Sequence, residues 1–211
     1  MARPAKTQAA GSRNPERTRA RILSAALKEF AARGFAGARV DAIARRADIN
    51  QRMLYHYFGS KGGLFREVLR RKITERRTLI EGASGEPTEN LPFRFATMCK
   101  DLDWVRLLGW EAVQSAGDRI VEEQFRRAGV ARARDRVQRE QAQGLLSLEF
   151  DAGHLMLAKL SLAMFPAAFP QLTRLITGRS VSDPAFQRDY ATFLKQFAVA
   201  FQPAGRQMNN S

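Results

Sequence analysis

The 211-residue chain is poor in the residue types that build most stapled or metal-bound sites: it has one cysteine and two histidines. A lone Cys99 excludes a disulfide framework and every cysteine-cluster zinc site, and it fits a reducing compartment. With no second thiol to resolve an oxidised sulfur, Cys99 reads as a small buried hydrophobe, not a redox sensor. His56 and His154 are far apart in the chain, so no histidine-rich metal centre is expected, and neither a metal nor a cofactor is called for. Long apolar runs are also missing. No uncharged apolar stretch reaches the 18 or so residues of a membrane span, and the most apolar segment, 152–169, is interrupted by His154, Lys159 and Pro166. The basic start, MARPAKTQAAGSRNPERTR, is followed by no apolar core, so it does not read as a secretory signal. The expectation is a soluble, cytoplasmic protein. Enzyme signatures are scarce too: there is no nucleophile–base motif, no paired carboxylates in a plausible cleft and no glycine-rich phosphate loop. Gly34-Phe35-Ala36-Gly37 lacks the strand that a phosphate loop requires.

What the chain has in excess is positive charge, and its distribution is uneven. The formal net charge is +14, and residues 1–77 carry 19 Lys and Arg against 6 Asp and Glu. Residues 78–211 are almost balanced, with 16 against 15. A basic first third joined to a neutral remainder describes a polyanion-binding module attached to a part with a separate task. The run RRAGVARARDRVQRE at 126–140 is interrupted by acids and reads as a solvated helix face, not a second DNA site.

The hydrophobic pattern is helical throughout. After a basic arm at 1–14 that reads as disordered, Ile22, Ala26 and Phe30 recur at i+4 with Leu23 and Leu27 beside them. Gly34 should end that helix, with Phe35 making an apolar contact at its end. Two short helices should follow over 40–47 and 51–58, joined by the turn at 48–50, with Ala44 allowing close approach and Asn50 as N-cap. This is a helix-turn-helix arrangement. Asp48 falls where the turn calls for positive φ. Ser60 reads as the N-cap of a long helix over 60–81, weakened by Gly62 and Gly63 in its first turn. GASGEPTENLP at 82–92 reads as a linker. Helices are expected near 91–102, 103–115, 118–144, 151–169 and 183–201, with a short one around 171–177; Asp183 before Pro184 marks an N-terminus. The fold class is all-α. His154, on an apolar helix, is expected in the core.

Over residues 22–65, ILSAALKEFAARGFAGARVDAIARRADINQRMLYHYFGSKGGLF resembles the DNA-binding domain of the TetR family of bacterial transcription regulators. The pieces that carry it are FAARGF, VDAIARRADI and, above all, LYHYFGSKGGLF. The resemblance implies an N-terminal three-helix helix-turn-helix DNA-binding domain with its connecting fourth helix at 15–81. A helical effector-binding and dimerisation domain would occupy 82–211. It further implies a homodimer that places two recognition helices in successive major grooves of a double-stranded operator.

On that resemblance the DNA-binding residues are Arg39, Gln51, Arg52, Met53, Tyr55, His56, Tyr57 and Lys61. Gln51 and Arg52 would reach base edges, the tyrosines and His56 the backbone, and Lys61 a phosphate. Arg39 stands where the family usually has a capping threonine, which an arginine cannot imitate. Asp48 replaces a usual glycine. A small-molecule effector of unknown identity would contact Met98, Trp104, Trp110, Phe125 and Met156, chosen because effector pockets are mainly apolar. Leu155, Leu162, Phe165, Phe169, Phe186, Tyr190, Phe193 and Phe197, on the two most apolar late helices, would form the dimer interface. The leading reading is a repressor released from a palindromic operator by a largely apolar effector. The alternatives are a related regulator without an effector, and a nonspecific basic DNA-binding protein.

Overall fold

The computed structural model describes residues 14–82, 87–114 and 120–203. The arm at 1–13 lies outside the described residues. Among the described residues there are ten helices and no strand: α1 (Pro15–Gly37), α2 (Val40–Arg46), α3 (Gln51–Phe58), α4 (Lys61–Gly82), α5 (Pro87–Lys100), α6 (Leu102–Gln114), α7 (Glu123–Ala142), α8 (Ala152–Ala168), α9 (Pro170–Thr177) and α10 (Pro184–Val199).

The N-terminal unit forms because three amphipathic helices too short to stand alone share one core. Ile22, Ala26 and Phe30 from α1 meet Ile43 of α2, Leu54 and Phe58 of α3, and Leu64, Phe65 and Leu69 of α4. Asn50 and Ser60 cap as the sequence calls for, and Asn14 adds a cap of its own. Asn14 Oδ1 accepts from the Glu16 N–H at 3.0 Å, Asn50 Oδ1 from Met53 at 2.7 Å, and Ser60 Oγ from Gly63 at 2.9 Å. Asp48 does adopt positive φ, at 50°. The Ile49 N–H bonds back to the Ala44 carbonyl and that of Asp48 to Arg45, closing α2 as a Schellman end.

Gly34 interrupts α1 with φ 65° and ψ 179°, a geometry that only glycine adopts readily. Phe35 then packs against Phe30 and Phe65. Gly63 has a reason of its own: a Cβ there would come within 2.1 Å of the Phe58 carbonyl oxygen, where α3 hands over to α4.

The C-terminal bundle packs α5 between α10 and α8, with α7 against α8 and α6 against both α8 and α1. Three expectations need correcting here. The linker is shorter than 82–92, because α5 already begins at Pro87, where a missing N–H costs nothing; Pro92 lies inside it and forfeits one bond. α7 begins at Glu123, several residues later than expected, since Glu122 is held left-handed at φ 58°. His154 is exposed near Asp151, not buried, because it sits in the first turn of α8 on its solvent side. No single helix among the described residues is long and apolar enough to cross a membrane; α8 and α9 meet at an 89° bend.

Candidate functional site

α3 turns Leu54 and Phe58 into the core, and the 3.6-residue period therefore sends Gln51, Arg52, Tyr55 and His56 to the outside together. These four are exposed on one face of an eight-residue helix, with none of them held by a side-chain hydrogen bond among the described contacts. Tyr57 is half-buried against the core, its ring close to those of His56 and Phe58. Met53 is also half-buried and lines a notch with Thr18, Arg21 and Asp48. Arg21 reaches from α1 to the carbonyls of Ala47 and Asp48, clamping the turn that sets the α2–α3 angle.

Arg39 is exposed beside this face and provides no side-chain cap for α2. The structure shows what replaces the cap. The buried carboxylate of Glu29, on α1, accepts the Arg39 backbone N–H at 3.3 Å, while the Arg39 guanidinium pairs with Asp41 at 3.2 Å. Lys61, at the start of α4, donates to the Ala36 carbonyl at 3.2 Å and lies 5.0 Å over the Phe35 ring. The eight expected DNA-contacting residues thus lie on α3 and on the two helix starts beside it.

The five expected effector contacts do not converge in the same way. Met98 and Trp104 are buried around Arg76, whose guanidinium reaches Met98 Sδ at 3.2 Å and stands 5.9 Å from the Trp104 ring. Phe125 faces Arg70 of α4, 5.6 Å away. Met156 packs with Val137 and Leu146 at the other end of the bundle. Trp110 is at the joint between the two units: its indole N–H donates to the Ala31 carbonyl at 3.1 Å, and its ring covers Gly34. Gln114 completes that joint by accepting the Phe35 N–H at 3.1 Å. Aromatic spacing on a helix shows that a side chain is inward but not which neighbour it meets, so Trp110 could not be told from a pocket residue.

The expected dimer residues divide by burial. Leu155 and Phe186 are interior, and Leu162 and Tyr190 are half-buried, joined by a 3.0 Å bond from the Tyr190 hydroxyl to the Leu162 carbonyl. They pack within the chain, because α10 uses that side against α5. Phe165, Phe169, Phe193 and Phe197 remain exposed, accompanied by Leu172, Leu175 and Ile176 of α9.

Two sets of residues were missed from the sequence. Glu122 receives Arg70 Nε at 2.7 Å and has Arg66 Nε at 3.7 Å, tying the start of α7 to α4. Arg94, Arg136, Glu140 and Lys159 bring charge into the bundle between α5, α7 and α8, and burial lowers the Lys159 ammonium to about 8. Charge at buried helix positions was the available signal, visible as Lys159 within an apolar run. Cys99 is half-buried with its thiol pushed up to about 11 by burial, which keeps it protonated and unreactive.

Comparison with known proteins agrees with this geometry. Residues 22–68 match the family profile "Bacterial regulatory proteins, tetR family", and residues 94–194 match "Tetracyclin repressor-like, C-terminal domain". The HTH-type transcriptional repressor SCO4008 of Streptomyces coelicolor is 32% identical over 171 residues, covering 79% of this chain and 87% of the relative. The HTH-type transcriptional repressor NicS of Pseudomonas putida is 29% identical over 195 residues, covering 87% and 92%. The solved structure of the transcriptional regulator SCO4942 of Streptomyces coelicolor superposes with a TM-score of 0.70 at 29% identity, covering 85% of this chain and 97% of that one. With the α3 face, the three-helix unit beneath it and the helical bundle all accounted for, the chain belongs to the TetR family of bacterial transcriptional regulators, which are DNA-binding proteins and not enzymes.

Proposed function

We propose that this protein is a transcriptional repressor acting in the cytoplasm, that it binds a palindromic operator as a homodimer, and that a small, largely apolar effector held in the C-terminal bundle releases it. The observation that carries the reading is α4. It begins at Lys61 beside the DNA-facing α3 and reaches, at Arg76, into the effector-side core against Met98 and Trp104. One rigid helix therefore shares its position between both units. The repressor names of SCO4008 and NicS support the sign of regulation.

Gln51 and Arg52 read bases, Gln suiting adenine and Arg guanine, while Arg39, Met53, Tyr55, His56, Tyr57 and Lys61 position the helix against the backbone. The two recognition helices of a dimer would meet half-sites about 34–36 Å apart, or a multiple of that distance. The test is selection of the binding site from a random DNA pool, followed by titration with selected and random duplexes at several salt concentrations. An inverted repeat bound at least about 10³-fold above random DNA is expected. An asymmetric site, or equal affinity for both duplexes, would refute the reading.

A further inference from the structure

The C-terminal bundle buries charge at positions where its own packing calls for apolar groups. On α8, Leu155, Lys159 and Ala163 follow each other at i, i+4 on one buried face. Lys159 therefore separates two apolar clusters, one holding Leu155 with Val137 and Leu146, the other Ala163 with Leu91 and Phe95. Lys159 is only 6% exposed, and among the described residues no hydrogen bond or ion pair holds its Nζ, which is not itself sealed from solvent. An ammonium on so deeply buried a side chain keeps only part of its hydration, which is costly when no hydrogen bond or ion pair replaces it, and a methionine would fill the same space without that cost.

Neighbouring helices add charge of the same sign. α5 contributes Arg94, whose Nε donates to the neutral Asn90 Oδ1 at 2.7 Å. α7 contributes Arg136 and Glu140, but the Arg136 Nε donates to Glu140 Oε1 at 3.2 Å, so the one carboxylate of the group is already engaged on its own helix. Three cations face one carboxylate. Lys159 and Arg94 are both stabilised by Glu140; Lys159 is repelled by Arg94 and Arg136, and Arg94 by Arg136 and by Arg76 of α4, which itself pairs with Asp101. Such a group lacks an anion, and two guanidinium forks with one ammonium are the donors that carboxylates and phosphates engage best.

We infer that Arg94, Arg136 and Lys159 form the seat of an anionic head group on the effector, a carboxylate or phosphate ester carried on an apolar body. The inference rests on the effector reading above and names the effector's chemistry. The apolar clusters on either side of Lys159 are closed in this structure, so the body would enter by parting Leu155 or Ala163 from their neighbours, while the head has the basic centre.

The test uses the full-length protein and a fixed panel: octanoate, benzoate, octyl phosphate and inorganic phosphate, with octanol and octyltrimethylammonium as uncharged and cationic counterparts. Calorimetry should find an organic anion that binds at least tenfold tighter than octanol. Lys159→Met should weaken it at least tenfold without lowering the melting temperature, and Arg94→Gln, which keeps a hydrogen-bonding side chain, should weaken it too. Preference for octanoate or octyl phosphate identifies the head. Inorganic phosphate binding as tightly as octyl phosphate would overturn the apolar body. No binding by any anion, or binding unchanged in both variants, would overturn the seat itself. Lys159-dependent binding that leaves operator affinity unchanged would uphold the seat and sink the effector reading.

Discussion

At the edge of the DNA-facing surface, the Lys61 ammonium bonds the Ala36 carbonyl and covers Phe35. Lys61 therefore joins the end of α1 to the start of α4 in addition to its proposed phosphate contact, whereas the exposed Arg52 has no comparable anchor. Lys61→Ala is expected to weaken binding to all sequences, lower the salt slope by about 1 and cost some stability. Arg52→Ala should leave the melting temperature unchanged and remove about 1–3 kcal/mol from the preferred site only. Equal losses by Arg52→Ala on selected and random duplexes would refute base reading by this residue. Lys159 gives a second prediction at this scale. Its amine is at about 8 in the folded chain against an ordinary 10.5, because burial disfavours the charge more than Glu140 restores it. Between those values the unfolded chain holds a proton that the folded chain has lost, so this residue makes stability rise with pH across that window. Cys99 acts in the opposite sense, its raised pKa making stability fall between its ordinary 9 and about 11. Comparing wild type with Lys159→Met removes that contribution. Urea unfolding should show wild type gaining about 2 kcal/mol on the variant between about pH 7.5 and pH 9.5. Parallel curves would place the amine in water.

Among the helices, the joint between α1 and α6 depends on one glycine. Gly34 combines a glycine-only backbone geometry with a Cβ direction blocked by Gln114 Nε2 at 2.5 Å and the Trp110 ring at 3.0 Å. Gly34→Ala should lower stability by about 1–3 kcal/mol from the backbone alone and loosen the Trp110 bond to Ala31. Thermal unfolding, with Trp110 fluorescence as reporter, checks both; an unchanged melting temperature would show that the kink is dispensable. Gly34 also shows which features could be read from the sequence. The break in α1, the caps at Asn50, Ser60 and Asp183 and the positive φ of Asp48 are decided within four residues along the chain, so their signals are local. The exposed face of α3 was legible for the same reason, since helical period alone separates Leu54 and Phe58 from Gln51, Arg52 and Tyr55. Partners far apart in the chain were not. The Glu29 carboxylate capping α2 through the Arg39 N–H, Trp110 on α1 and Glu122 on α4 depend on packing that no local pattern encodes. The expected effector residues were dispersed on those grounds.

For the whole molecule, the exposed apolar faces of α8 and α10 and one strained link are where the proposed assembly and response can be tested. Phe165, Phe169, Phe193 and Phe197 stay exposed after α10 has used Phe186 and Leu194 against the bundle. A second copy is the natural cover for them, so Phe193→Asp should give monomers with poor operator affinity in sedimentation and gel-shift experiments. A dimer undisturbed by that charge would place the interface elsewhere. The proposed response needs a route from the proposed effector seat to α3, and α7 offers one. Its last turns carry Arg136 and Glu140 beside Lys159, and about 21 Å away its start is held to α4 by Glu122. Glu122 stands left-handed without being a glycine, a geometry that persists only where its surroundings impose it. Here Arg66 and Arg70 impose it, and Phe125 under Arg70 reinforces the hold. An effector that shifts α7 would therefore turn α4 and change the distance between the two recognition helices. A coupling of this kind is worth about 1–3 kcal/mol, or 5–150-fold, and operator must weaken effector binding by the same factor as effector weakens operator binding. Glu122→Gln removes the charge that Arg66 and Arg70 share while leaving both binding sites intact. It should bring the ratio of effector affinities without and with operator close to one, with each affinity measured alone changing less than about threefold. A ratio unchanged from wild type would show that the signal does not pass through the Glu122 link.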